Sequence, residues 1–406
     1  MPKSTSINLG KFIVLFVLIT SMLFLGSYRV AGPLTVRNVC SVFLLIYVFL
    51  NIPKILLDSS INSYLVYLLI FTFCTLISGD LFETRHLYNL ASRHVPCLLI
   101  CLSVPIIIKN NKDYSAFLIV IQFIFIVNSV ITILQFIGVP FAWTISTTIN
   151  EGANEMLDKL TEYERNYDTN IGVAAMTGLF GSPVANGYFT ASFLPIATYP
   201  IFQKKRNGKI ISVIIFVFAF IASICIQQRM CFIAITLLIF YAIFRYLKWF
   251  YIISSLVILI IGVTFLNFGN EAIDLGRLTS MTDDSRSRIF QAFLEFINSP
   301  DVFVGNYHDY TRHAVDQHNC FTDVIVRGGI ITFIPFIVFL VQIVKTLVQS
   351  YKKNTGLLPI VLGCAIYLFY SLTHSDGVHS GDTMFWIMYA IVISNKSNVL
   401  TLSKND

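Results

Sequence analysis

Gln317-His318-Asn319 stands just before a long apolar run, and Arg327, Gly328 and Gly329 lie at the entrance to that run. An imidazole titrates near neutrality and can take a proton from a hydroxyl, and a neighbouring amide can orient that hydroxyl. His318 is therefore a candidate general base, with Asn319 and Arg327 as candidate positioning residues. The plainer alternative is an interfacial histidine that only hydrogen-bonds. Arg229 lies in Gln227-Gln228-Arg229-Met230, a minimal turn between two apolar runs. A guanidinium so close to hydrocarbon calls for an anionic ligand or a buried carboxylate. Arg286 and Arg288 open an amphipathic stretch, Ile289 to Ile297, closed by Pro300. With Arg229 they could clamp a pyrophosphate, for which the planar donor fork suits better than an ammonium. Alternatively they are a solvated helix start paired with Asp283 and Asp284.

Two further groups carry titratable side chains. The stretch from Gly79 to His94 offers Asp80, Glu83, Arg85, His86, Arg93 and His94, and the last turn offers His374, Asp376, His379 and Asp382. Their spacings match no compact metal-ligand motif, so no metal site is expected. The eight cysteines show no paired spacing, and most lie inside apolar runs as small buried hydrophobes. No dinucleotide loop, Walker A loop or nucleophile-elbow serine is visible, so any group-transfer energy must arrive with the substrate.

The elements that would position these residues follow from composition. The chain has 406 residues, 56% hydrophobic and 12% charged, with mean hydropathy +0.74. That is the signature of an all-α polytopic membrane protein, because lipid cannot satisfy an open backbone. About 12 apolar runs are long enough to cross the bilayer. They lie near 12–29, 38–56, 62–79, 95–108, 115–139, 182–202, 210–227, 230–247, 249–268, 323–349, 356–373 and 383–395. The first follows Lys3 and Lys11 but reads as a retained span, since Ser27-Tyr28-Arg29 is a poor cleavage site.

Short loops rich in Lys and Arg stay cytoplasmic, and Lys109/Lys112, Lys204 to Lys209, Arg245/Lys248 and Lys352/Lys353 all fit one orientation with both termini inside. On it, all seven histidines and 11 of 13 arginines face outward, while 14 of 15 lysines face inward. The net charge of +6 thus reflects topology and gives no argument for a nucleic-acid partner. Residues 1–140 hold five spans, 141–181 an outer loop, 182–268 four spans, 269–322 a large outer loop and 323–406 the last three spans. The first outer loop includes an acidic amphipathic stretch from Glu151 to Asp168 and ends in the turn-rich Thr177-Gly178-Leu179-Phe180-Gly181-Ser182-Pro183. No internal repeat is evident, which weakens a transporter reading.

Four stretches together resemble the O-antigen polymerase and O-antigen ligase superfamily. They are the Gly178-Leu179-Phe180 entry followed by Asn186, the short-turn Arg229, the succession from Arg286 through Phe290 to Pro300 and Gly305, and His318-Asn319 with nine residues intervening before Gly329. The likeness covers about residues 170–340. A second glycine and threonine found in the ligase version are replaced here by Ile330-Ile331 before Thr332, which favours the polymerase.

The resemblance implies a GT-C-like fold with two large periplasmic loops in the bacterial inner membrane. It implies a metal-independent inverting glycosyltransferase that needs no cofactor. The growing glycan would pass from undecaprenyl pyrophosphate to a sugar hydroxyl of a lipid-linked repeat unit at the periplasmic face. His318 would accept the proton, Arg229, Arg286 and Arg288 would hold the pyrophosphate, and Asn319, Asn186 and Arg327 would position substrate. The implied partners are undecaprenyl-pyrophosphate-linked oligosaccharides and membrane lipids, with room for a chain-length-regulating co-polymerase. The alternatives are a ligase that passes the finished glycan to lipid A core and, from another class, a lipid-linked oligosaccharide flippase.

Overall fold

The computed structural model describes residues 9–31, 34–55, 58–80, 86–150, 153–154, 157–158, 175–202, 208–246, 284–308, 319–374 and 377–396. The described chain is almost wholly helical, apart from a small hairpin of Arg29–Ala31 and Leu34–Thr35. Each expected apolar run has a helix, except 249–268, which lies outside the described residues together with most of the stretch from Glu151 to Asp168. Among the described residues five helices are long and apolar enough to cross a membrane: Ser59–Ile77, His86–Ile107, Asn111–Phe136, Lys209–Ile226 and Cys320–Lys353. Shorter apolar helices accompany them, so the protein is an all-α membrane protein.

The chain divides into two compact units. The first comprises Met1–Cys40, Asn111–Ser280 and Leu358–Ile366. Its helices are α1 (Leu9–Leu23), α5 (Asn111–Phe136), α6 (Pro140–Ile149), α7 (Pro183–Ala197), α8 (Lys209–Ile226) and α9 (Arg229–Tyr246). Helix α2 (Val36–Leu50) begins in this unit and ends in the second. Ser182 caps α7 by accepting from the Ala185 N–H at 3.1 Å, with Pro183 in the first turn where its missing N–H costs nothing. Helix α7 is apolar on all sides and almost wholly buried, packed by α5, α8 and α9.

A buried polar seam supports the irregular turn before α7. Asn128, Thr132 and Gln135 share one face of α5 at four- and three-residue spacing. Gln135 accepts from the Gly178 N–H at 2.9 Å and donates to the Gly178 carbonyl at 3.2 Å, while Asn128 accepts from the Leu179 N–H at 2.9 Å. Asn150, at the end of α6, donates to the Leu179 carbonyl at 2.7 Å. Gly178 has φ +59°, and a Cβ there would meet the Asn128 oxygen at 2.5 Å, so the turn fits only glycine. Buried backbone groups must be paired, and here side chains do it. Gln135→Leu is expected to lower stability by about 1–3 kcal/mol by leaving the Gly178 N–H without this acceptor; a thermal melt in detergent measures it.

The second unit comprises Ser41–Asn110, Met281–Leu357 and Tyr367–Asp406. Its helices are α3 (Ser59–Ile77), α4 (His86–Ile107), α10 (Asp284–Ile297), α11 (Cys320–Lys353) and α13 (Thr383–Lys396). Helix α12 (Leu358–Ser371) ends here. Helix α3 lies along α11, and α4 along α13. The buried edge of α3 carries Tyr64, Tyr67 and Phe71, which join Phe336, Phe339 and Trp386 in an aromatic core with ring centroids 4.5–6.4 Å apart. The opposite edge of α3 turns Leu65, Leu69 and Phe73 outward, as suits a lipid contact.

Two departures from regular helix shape this unit. Helix α4 begins at His86, nine residues earlier than the apolar run expected from 95, and contains a π-helical turn at Leu90–His94. In an ideal α-helix residues eight apart diverge by about 80°, whereas one inserted residue brings them nearly onto one face. His86 and His94 are eight apart, so the π turn aligns them. Helix α11 breaks at Gly329, with φ 71° and ψ 179°. Such a break strands the Val326 carbonyl and the Ile331 N–H, whose helical partners would lie across it. The segment before α11 meets both: the Asn306 N–H donates to the Val326 carbonyl at 2.9 Å and the Ile331 N–H donates to the Phe303 carbonyl at 3.2 Å. Phe293 and Phe296 of α10 pack with Val302 and Val326 and hold that segment down.

Candidate functional site: a polar cavity in the second unit

A cavity of about 320 Å³ opens in the second unit, lined by Asp80, His86, Asn89, Arg93, His94, Tyr307, Asp323, Arg327, His379 and Ser380 over a floor that includes Tyr67 and Phe71. Polar groups of both signs converge above an aromatic base, the usual composition of a ligand site. Asp323 is its electrostatic centre. It lies in the first turn of α11 and is 1% exposed. One turn on, the Arg327 Nε–H donates to both carboxylate oxygens at 2.9 and 2.8 Å. From the 3-10 turn Val378–Ser380, His379 Nε2 meets Asp323 Oδ2 at 2.8 Å. A buried carboxylate is stable only when paired, and two donors meet it here.

Each wall is fixed by a named contact. The Arg327 guanidinium sits 3.9 Å over the centroid of the Tyr307 ring. Asp80 follows the end of α3 and accepts from the N–H groups of Tyr307 and His308 at 2.7 and 3.3 Å. The segment that carries Tyr307 and His308 is thus tied to α3 as well as to α11. His94 Nδ1 and the Tyr64 hydroxyl are 2.6 Å apart, and His86 Nε2 lies 3.3 Å from the Thr72 hydroxyl, with its ring edge-on to Phe71. The Tyr67 hydroxyl donates to the His379 carbonyl at 3.3 Å.

The residues expected from sequence fall in different places. Arg327 stands in the cavity wall. Asn319 caps α11, its side chain accepting from the Phe321 N–H at 2.8 Å. His318, the expected base, lies outside the described residues. Arg286 and Arg288 are in the first turns of α10, their side chains outside the described set. Arg229 opens α9 and Asn186 lies in α7, both in the first unit. Asn186 is fully buried and spends its amide on Asn128 at 2.8 Å, Thr132 at 3.1 Å and the Met176 carbonyl at 3.2 Å, so in this structure it holds the Gly178 turn.

Asp80, His86, Arg93, His94 and His379, which sequence spacing presents as scattered, are brought together here. Asp323 was not singled out in advance, although an acid four residues before an arginine at the head of an apolar helix is a legible signal. Among the described residues no three His, Cys, Asp or Glu side chains form a set that could hold a metal ion.

Fold and site together define an all-α membrane protein with a polar, imidazole-bearing cavity, its two arginines matched by two carboxylates, built from α3, α4, α11 and the final turn before α13. Comparison with protein-family models, curated proteins and solved structures finds no match.

Proposed function

We propose that this protein is an O-antigen polymerase, or a polymerase of a related surface polysaccharide, with about 12 spans and a GT-C-like architecture. In this reading it works in the bacterial inner membrane with its cavity facing the periplasm. The observation that carries the reading is the cavity of the second unit, where the Arg327 guanidinium and a carboxylate-held imidazole face one space. Guanidinium groups suit a diphosphate, and an imidazole suits an attacking hydroxyl.

The reaction has one bond made and one broken. The acceptor sugar oxygen attacks the anomeric carbon of the donor glycan, and the bond from that carbon to the diphosphate oxygen breaks with inversion. The electron pair leaves with undecaprenyl diphosphate, and the hydroxyl proton goes to an imidazole. The leaving group is already activated, so the protein's work is to hold developing negative charge and to orient the acceptor. Arg93 and Arg327 are the guanidinium groups at the cavity, Arg327 being paired with Asp323. The superfamily resemblance adds Arg229, Arg286 and Arg288 for the diphosphate and His318 for the proton.

The break in α11 also invites a transport reading, since discontinuous helices often expose backbone groups to a transported solute. The Val326 carbonyl and Ile331 N–H are already occupied by the segment Phe303–Asn306, which favours a structural break. The test is reconstitution of purified protein in liposomes with lipid-linked repeat units and no nucleotide. A ladder of lengthened glycans with release of undecaprenyl diphosphate is expected. Transfer to lipid A core alone would indicate the ligase, and movement across the bilayer with no new glycosidic bond would refute glycosyl transfer.

A further inference from the structure

Helix α10 has two apolar rows and buries only one of them against the protein. Ile289, Phe293 and Phe296 are buried, and the last two pack with Val302 and Val326. Phe290, Leu294 and Ile297 are 59%, 45% and 42% exposed. At about 100° per residue the exposed three fall within about 60° of one another, roughly 100° round the helix from the buried row. The polar residues Gln291, Glu295 and Asn298 are exposed about 100° further on. A helix with apolar surface on two adjoining sides and a polar third side matches a boundary between water and lipid.

The exposed row does not end with the helix. Phe303, past the turn at Pro300, is 60% exposed, and its carbonyl accepts from the Ile331 N–H at 3.2 Å. Ile331 belongs to the side of α11 on which Ile330, Ile334, Val338, Val341 and Val348 are also exposed. From Ile330 to Val348 this side runs about 27 Å at 1.5 Å per residue, close to the roughly 30 Å of a bilayer's hydrocarbon core. One edge of the hydrocarbon therefore falls at Ile330, beside the break at Gly329, and the charged Asp323 and Arg327 lie beyond it. Val326, on which α10 packs, is one helical turn past that edge, at the depth of lipid headgroups.

We propose that α10 is an interfacial helix, with Phe290, Leu294, Ile297 and Phe303 seated among lipid chains at one surface of the bilayer. The occupant is lipid and not a second copy of the chain, because the exposed row runs into the side of a membrane-spanning helix that lipid must cover. The inference concerns a surface apart from the cavity and holds whatever reaction the cavity performs. Its consequence reaches the cavity through the chain. The segment from Phe303 to His308 sets Tyr307 under the Arg327 guanidinium and gives two N–H groups to Asp80. Lipid seated on Phe303 and on α10 holds that segment against α11, and with it one wall of the cavity.

The test attaches nitroxide labels to full-length protein with its native cysteines replaced, in liposomes of phosphatidylethanolamine and phosphatidylglycerol. Labels go at Phe290→Cys, Leu294→Cys and Ile297→Cys and, for comparison, at Gln291→Cys, Glu295→Cys and Asn298→Cys. Collision with oxygen, which concentrates in lipid, is compared with collision with a water-soluble nickel chelate. The oxygen-to-nickel ratio should be several-fold higher at the first three positions than at the other three, following the helical period. Ready access of nickel to all six would place the row in water and overturn the proposal. Labels on the first three that neither probe reaches would show protein covering the row, and dipolar broadening lost on dilution with unlabelled protein would identify that cover as a second copy; either result overturns it. The hold on the cavity wall is read by hydrogen exchange in the same liposomes. Combining Phe290→Ser with Leu294→Ser should speed exchange of the Asn306 and Tyr307 amides several-fold, and unchanged rates would overturn that role.

Discussion

Asp323→Asn is expected to reduce elongation by about a hundredfold while the protein still inserts and melts cooperatively. Asparagine matches the shape of aspartate but carries no charge, and its amide can donate as well as accept. The His379 ring, 2.8 Å from the exchanged group, could then settle with its proton on either nitrogen, and Arg327 would be released from the two carboxylate contacts that fix it at the cavity wall. Losses of this size, about 100-fold, follow when positioning groups shift by about 1 Å. Arg327 would lose its charge partner as well, so a modest drop in melting temperature is expected alongside. Turnover in liposomes gives the comparison. A variant with half the wild-type rate would show that the carboxylate has only a structural part.

Gly329→Val is expected to prevent accumulation of folded protein. Gly329 has φ +71°, a conformation that costs a β-branched residue heavily, and any Cβ there would run into the Phe303 carbonyl and the Val304 N–H. Those atoms cannot retreat, because the Phe303 carbonyl accepts from Ile331 and the Asn306 N–H donates to Val326. Relieving the clash means lifting this segment from α11, and with it Tyr307 from Arg327 and Asp80. A cost of about 3 kcal/mol or more follows from the strain and the stranded backbone groups together. Size-exclusion profiles of detergent extracts, with Ile330→Val on the exposed face as a control, report it. A monodisperse peak of wild-type height for Gly329→Val would mean that the break in α11 does not depend on glycine.

The helices were legible wherever an apolar run was unbroken, as at 62–79 against the observed Ser59–Ile77 or 115–139 against Asn111–Phe136. Helix α4 was read as starting near 95 because His86, Arg93 and His94 depress hydropathy; the π turn that makes one helix of both parts leaves no mark in composition. The α11 break was equally hidden, since the apolar run continues from Ile330 and only Gly328-Gly329 hints at it. The titratable groups from Gly79 to His94 and around His379 were legible as groups. Their convergence was not, because Asp80, Asp323 and His379 are brought together by the packing of α3, α4, α11 and α13, and nothing in their spacing encodes it. Asn186 shows the converse: a conspicuous polar residue at a span entrance is hydrogen-bonded to the Met176 carbonyl, Thr132 and Asn128.

In the proposed function this cavity faces the periplasm and is where the glycan is lengthened. Asn89 lines it, half-buried, and holds none of the contacts assigned to catalysis. With the native cysteines replaced, Asn89→Cys should react with a membrane-impermeant maleimide applied to spheroplasts from outside, and the labelled protein should no longer lengthen lipid-linked repeat units. Labelling that requires access from the cytosolic side, or full labelling with elongation unchanged, would contradict it.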